Sequence, residues 1–110
     1  MLRFVCLFLA AGILSAEALQ QADTIRFDVK ELAELPCPNT PWVDSAYFLL
    51  SDTGYNNPTC NYYMEMDLRS KVEEYCKRSP GACSFRLANV LGKEPDPRCV
   101  SSFEVGYLCI

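Results

Sequence analysis

Histidine is absent from all 110 residues. That excludes Ser-His-Asp and Cys-His catalysis and every zinc site that needs an imidazole. Positive charge is scarce: ten Lys and Arg stand against fourteen Asp and Glu, for a net charge of −4. With no basic cluster, neither nucleic acid nor an anionic membrane surface is an expected partner. No EF-hand loop and no Cys-x-x-Cys pair occur, so neither calcium nor dithiol redox chemistry has a motif. No cofactor or metal is expected. N-glycosylation has no acceptor: Asn57-Pro58-Thr59 carries proline at the forbidden position, and Asn39-Thr40-Pro41 lacks the hydroxyl residue.

Long apolar runs are also missing, with one exception at the start. Phe4 to Leu14 is apolar, follows Arg3, and is too short to span a bilayer as a helix. Ala16-Glu17-Ala18 then fits the small-x-small cleavage rule. The expectation is a signal peptide over 1–18, a single secreted domain over 19–110, and no insertion into a membrane. The cysteines agree. There are seven, an awkward number for an oxidising compartment, and Cys6 leaves with the signal. Cys37, Cys60, Cys76, Cys83, Cys99 and Cys109 remain, an even set that reads as a disulfide framework. A domain of this size buries a thin core, and covalent staples compensate. The spacing alone leaves the pairing open.

The pattern along the chain predicts a small α+β domain with an antiparallel sheet and one main helix. Ile25, Phe27 and Val29 alternate with Arg26, Asp28 and Lys30, the period of a half-buried strand. Ala33, Leu35 and Cys37 continue it as a second strand. Val43 to Leu50 is apolar and reads as a buried strand, and Ser51 to Pro58 as a loop by composition. Met64, Leu68, Val72 and Cys76 form a stripe that predicts a helix over Tyr63–Arg78. On it, Glu65–Arg69, Asp67–Lys71, Glu73–Lys77 and Glu74–Arg78 place acid four residues before base, and Ser79-Pro80-Gly81 is the stop. Cys83, Phe85 and Leu87 predict another strand, Gly92 to Arg98 a loop, and Phe103 to Cys109 a last strand.

Carboxylates are the one remaining source of acid–base chemistry. The densest, Glu73-Glu74 and Glu65-x-Asp67, each have a basic partner on the expected helix, so they read as a solvated face and no enzyme is expected. Binding is the better class. A sugar site needs carboxylates and amides for hydroxyls and an aromatic ring for the apolar face. Trp42, Tyr47, Tyr55, Tyr62, Tyr63, Asn89 and Asp96 supply such groups, although each alone reads as packing or turn chemistry.

Taken with their neighbours, the cysteines resemble a family. Leu35-Pro36-Cys37-Pro38, then Val43-Asp44-Ser45-Ala46-Tyr47, Cys60, Val72 before Cys76, Cys83, Asp96-Pro97 before Cys99, and Glu104-Val105-Gly106-Tyr107-Leu108-Cys109 follow one another in order. This resembles the galactose/rhamnose-binding lectin domain of the sea-urchin-egg-lectin type, also found at the front of latrophilins. The likeness runs from about Ile25 to Cys109 and is to a divergent six-cysteine form. Two of the family's eight half-cystines, which pair with each other, are missing together near Asp28 and before Cys60. The resemblance implies Cys37–Cys109, Cys60–Cys99 and Cys76–Cys83, a lectin-like fold, and a carbohydrate site that keeps Asn89 and Asp96.

The rest of that site departs from the family. Ala46-Tyr47-Phe48-Leu49-Leu50 lacks the Gly and Arg of the family's Tyr-Gly-Arg motif, Val29 stands near the family's acid, and Arg98 intrudes between Asp96-Pro97 and Cys99. Two activities are therefore expected in competition. One is a lectin-type module for a cell-surface glycan or glycoprotein. The other is a cysteine-rich secreted effector, such as a venom-type toxin or inhibitor, that uses the scaffold on a protein receptor, with Phe48, Leu49 and Leu50 as packing or contact face.

Overall fold

The computed structural model describes residues 22–79 and 81–109. The signal segment expected over 1–18, with its expected cleavage after Ala18, and the proline of the Ser79-Pro80-Gly81 stop lie outside them. Nine elements follow in order: β1 Asp23–Asp28, β2 Leu32–Leu35, β3 Trp42–Leu50, a 3₁₀ turn Pro58–Cys60, α1 Asn61–Glu65, α2 Leu68–Lys77, β4 Cys83–Arg86, α3 Leu87–Leu91 and β5 Val100–Leu108. The fold is α+β and stapled by disulfides.

Two antiparallel sheets carry it. In the first, β5 lies between β1 and β3; in the second, β2 pairs with β4. Side-chain alternation decides what each face holds. Phe27, Phe103 and Phe48 are register partners across the three strands on the core side. One residue later, Arg26, Glu104 and Tyr47 form the corresponding row on the opposite face. The second sheet buries Ala33, Leu35, Cys83 and Phe85 and exposes the residues between them. Phe103 joins the layers, with ring centroids 5.4 Å from Phe27 and 6.1 Å from Phe85. The turn between β1 and β2 is held locally: the Glu31 side chain accepts from the Asp28 amide, and the Asp28 side chain from the Lys30 amide.

Helix α2 packs on β3 through Leu68, Val72 and Cys76, all buried. The continuous helix expected over Tyr63–Arg78 is broken in two. Met66 is extended, at φ −76° and ψ 138°, and Asp67 begins the second helix as its N-cap. The Asp67 carboxylate accepts from the Ser70 amide at 3.2 Å and from the Ser70 hydroxyl at 2.7 Å. An N-cap oxygen takes up an amide with no partner inside the helix. Asp67 is thus a cap and not the acid of a pair with Lys71. Arg69 bonds Glu73 at 3.4 Å instead of answering Glu65 across the break. Met64 drops out of the buried stripe and is 65% exposed.

A second difference lies at β4. Leu87 opens α3 rather than extending the strand. That helix closes on Gly92 at φ 81°, whose amide bonds the Ala88 carbonyl. A left-handed residue after a helix is the usual use of glycine there.

Three cystines close the domain. Cys37–Cys109 has a Cα separation of 5.4 Å, and Cys60–Cys99 and Cys76–Cys83 each have 5.2 Å. The first joins the segment after β2 to the end of β5. The second ties the 3₁₀ turn to the start of β5. The third links the last turn of α2 to β4.

Gly54 shows how tightly the second cystine is packed. A side-chain carbon there would collide with the backbone carbonyl of Cys99. A backbone atom next to a cystine has little room to retreat, so Gly54→Ala is expected to destabilise by about 2 kcal/mol through overpacking. Urea unfolding checks this. Gly106 meets only the Ser45 hydroxyl and Thr24, both side chains, so Gly106→Ala should cost less. The reverse order would refute the packing argument.

Candidate functional site

The residues expected to hold a sugar come first. Asp96 precedes β5 and its carboxylate is already engaged. Arg98 Nε and Nη2 donate to its two oxygens at 3.1 and 2.9 Å, and the Arg98 amide adds a third bond at 2.9 Å. The backbone of Asp96 is also held, its amide donating to the Tyr63 hydroxyl at 2.9 Å. The Arg98 carbonyl accepts from the hydroxyls of Ser51 and Thr53. Asp96 therefore serves as the hub that fastens this loop to the loop after β3. The Arg98 hydrogen bonds hold its carboxyl below the usual carboxylate range.

Asn89 lies exposed on α3. Its neighbour Ala88 lines a depression of about 340 Å³ together with Val29, Arg86, Glu94, Pro95 and Pro97. Pro95 and Pro97 flank Asp96 in the chain. The depression thus runs between the stretches carrying the two expected residues, but neither Asn89 nor Asp96 lines it. Val29 is buried in its wall. Its charged groups are Lys30, Arg86 and Glu94, and Arg86 spends one donor on the Lys30 carbonyl at 3.0 Å.

The aromatic residues are distributed differently from their expected packing roles. Tyr63 is buried and meets Phe48 edge-on at 5.2 Å. Trp42, Tyr47, Tyr55 and Tyr62 are about half exposed or more. Three of the five contribute to one feature. A groove of about 270 Å³ is lined by residues 47–50 of β3, by Tyr55, and by Tyr63, Met64 and Met66 around α1. Its walls are mainly aromatic and thioether. Sequence reasoning saw Phe48, Leu49 and Leu50 as a contact face but missed Met64 and Met66. The helix stripe had assigned Met64 inward, and only the Asp67-x-x-Ser70 cap marked the break that turns it out. Met66 also lines a neighbouring depression with Tyr62, Glu65, Asp67 and Lys71.

The Arg26–Glu104–Tyr47 row on the outer face borders this groove through Tyr47. Arg26 Nη2 lies 2.7 Å from Glu104 Oε2, and the Tyr47 hydroxyl donates to Oε1. The Tyr47 hydrogen bond, then that of Arg26, holds the Glu104 carboxyl below its ordinary range; the same bond raises Tyr47. Asp67 is likewise lowered, by its bonds from Ser70. All three lowered carboxylates favour the folded state when ionised. That stabilisation is complete above the unfolded pKa, about 4, and is lost as pH falls through the lower folded values. Thermal unfolding from neutrality into acid should show a falling midpoint. Glu104→Gln and Asp96→Asn should flatten the fall, and an unchanged slope would refute the assignment.

Among the described residues, no group of three or more metal-binding side chains occurs, and no helix is long and apolar enough to cross a membrane. Compared with known proteins, the chain matches no family model, no curated protein sequence and no solved structure. The lectin resemblance is therefore carried by the sequence motifs alone.

Proposed function

We propose that this is a secreted, non-enzymatic binding protein that uses a lectin-like scaffold on a protein target, engaged at the groove between β3 and α1. The observation that carries the reading is the fate of Asp96. Three of the roughly four acceptor sites of its carboxylate are used by Arg98, so a sugar finds one Oδ2 lone pair and a charge already neutralised by a charge-assisted pair. Three exposed side chains, Tyr47, Tyr55 and Met64, meet instead at the groove. Tyrosine and methionine are enriched at the centres of protein interfaces, and thioethers adapt to irregular partners. Export rests on the Phe4 to Leu14 run and its cleavage rule, and the three cystines accord with an oxidising compartment.

The lectin reading keeps one observation of its own. The depression lined by Val29, Arg86 and Glu94 runs beside the chain segments of both Asn89 and Asp96. A single comparison separates the two. Titration calorimetry with galactose and rhamnose in the millimolar range should give no heat. Binding of the labelled protein to cells should survive enzymatic deglycosylation, vanish after surface proteolysis, and weaken in Met64→Glu. Binding inhibited by free sugar and indifferent to Met64→Glu would overturn the protein-target reading in favour of the lectin one.

A further inference from the structure

Consecutive residues of a strand point to opposite faces of its sheet. A groove on one face therefore meets every second residue. The groove described above is lined by 47, 48, 49 and 50 in succession; the first three keep an unbroken register with β5, which shifts only between Leu49 and Leu50, and this places the groove along the edge of β3 rather than on a face. That edge is open among the described residues. β3 pairs with β5 on one side, and no strand lies on the other. At its opening end the edge is blunted, because Arg69 donates to the Val43 carbonyl at 3.3 Å. Alternate residues of an edge strand turn both backbone groups outward. Within the regular stretch 47–49, one or two residues therefore present an amide and a carbonyl to whatever occupies the groove, and the register shift at Leu49/Leu50 ends the stretch.

Resting on the protein-target reading, we propose that the occupant is an extended peptide segment of the partner, added as a further strand along residues 47–50. It carries an apolar side chain into the aromatic–methionine groove and a lysine or arginine beside it. Backbone bonds supply affinity in this mode, and side-chain pockets supply selectivity. The basic residue follows from charge. The second depression shares Met66 with the groove and holds the exposed acids Glu65 and Asp67 against one lining base, Lys71, while the Lys93 ammonium lies over the ring of Tyr62, 4.7 Å from its centroid. Ser70 keeps Asp67 ionised. The whole chain is acidic at −4. A second copy would bring like charges to the same edge, so the observations favour a basic partner over self-pairing.

The test uses the mature, oxidised protein and a random linear peptide library displayed on phage. Selected peptides are expected to alternate apolar with polar residues, to carry Lys or Arg, and to lack a central proline. Bound peptide should slow hydrogen exchange at amides within 47–50. N-methylation of alternate peptide amides should weaken binding about tenfold in one of the two phases, by removing one or two backbone donors, and have little effect in the other. Met64→Glu, or Tyr55→Lys if the first variant disturbs folding, should also weaken it. Both positions are more than three-fifths exposed. No enrichment, acidic or proline-centred peptides, equal tolerance of N-methylation in both phases, or sedimentation as a dimer would overturn the proposal. If Met64→Glu abolishes cell binding while both N-methylated forms compete as well as their parent, edge pairing fails and the protein-target reading stands.

Discussion

Phe103→Ala is expected to destabilise the domain by about 4 kcal/mol, in the range found for deleting a buried aromatic ring. Phe103 is fully buried in the central strand of the three-stranded sheet. Its ring meets Phe27 from the same sheet and Phe85 from the second one, so the cavity would open where the two layers join. Neither sheet can close over it without sliding against the other, and cystines restrain both. Phe48 occupies the equivalent row on β3 but is only half-buried. Phe48→Ala should therefore cost clearly less. Urea unfolding of both variants decides the matter, and equal losses would mean that Phe103 is not the joint between layers.

Removing the Cys60–Cys99 bridge as a Cys60→Ala, Cys99→Ala double variant should cost a similar amount, about 4 kcal/mol in the chain-entropy account. Cys37–Cys109 closes a longer loop, 72 residues against 39. The logarithm makes that difference worth only about 0.5 kcal/mol. Packing then decides the order. Cys60 and Cys99 are both buried, whereas Cys109 is exposed. The Cys99 carbonyl also receives the Ser51 amide and backs onto Gly54. The short Cys76–Cys83 loop, with a separation of 7, should matter least, at about 2 kcal/mol. Denaturant midpoints of the three double variants check this order. Cys76 and Cys83 are buried too, so a largest loss at Cys76–Cys83 would contradict the entropy term and leave packing as the controlling one.

The legibility of the candidate site was uneven, for identifiable reasons. Phe48, Leu49 and Leu50 stood out because apolar residues replaced a Gly-Arg pair in the resembled motif. Met64 was assigned to the core by its four-residue distance from Leu68. A single Asp67-x-x-Ser70 cap outweighs that period, because it satisfies amides that a continuous helix would have bonded internally. The Asp96–Arg98 pair was visible only as an intruding residue. Its consequence, an aspartate neutralised by Arg98 with most of its acceptor sites in use, needed the fold of the loop and its anchorage to Ser51 and Thr53.

Local chemistry in the chain determined most of the elements. Period-two runs around Phe27, Leu35, Phe85 and Val105 became strands, and the period-four run from Leu68 to Cys76 became the main helix, since burial of one face is enough to select them. An even set of cysteines from Cys37 to Cys109 specified a domain held by cystines. The tertiary structure alone decided that β5 takes the centre and leaves β3 with an open edge, and that Tyr47, Tyr55, Met64 and Met66 meet beside it. Strand order and edge exposure depend on pairings between residues far apart in sequence. No local pattern of apolar and polar residues records which side of a strand finds a partner.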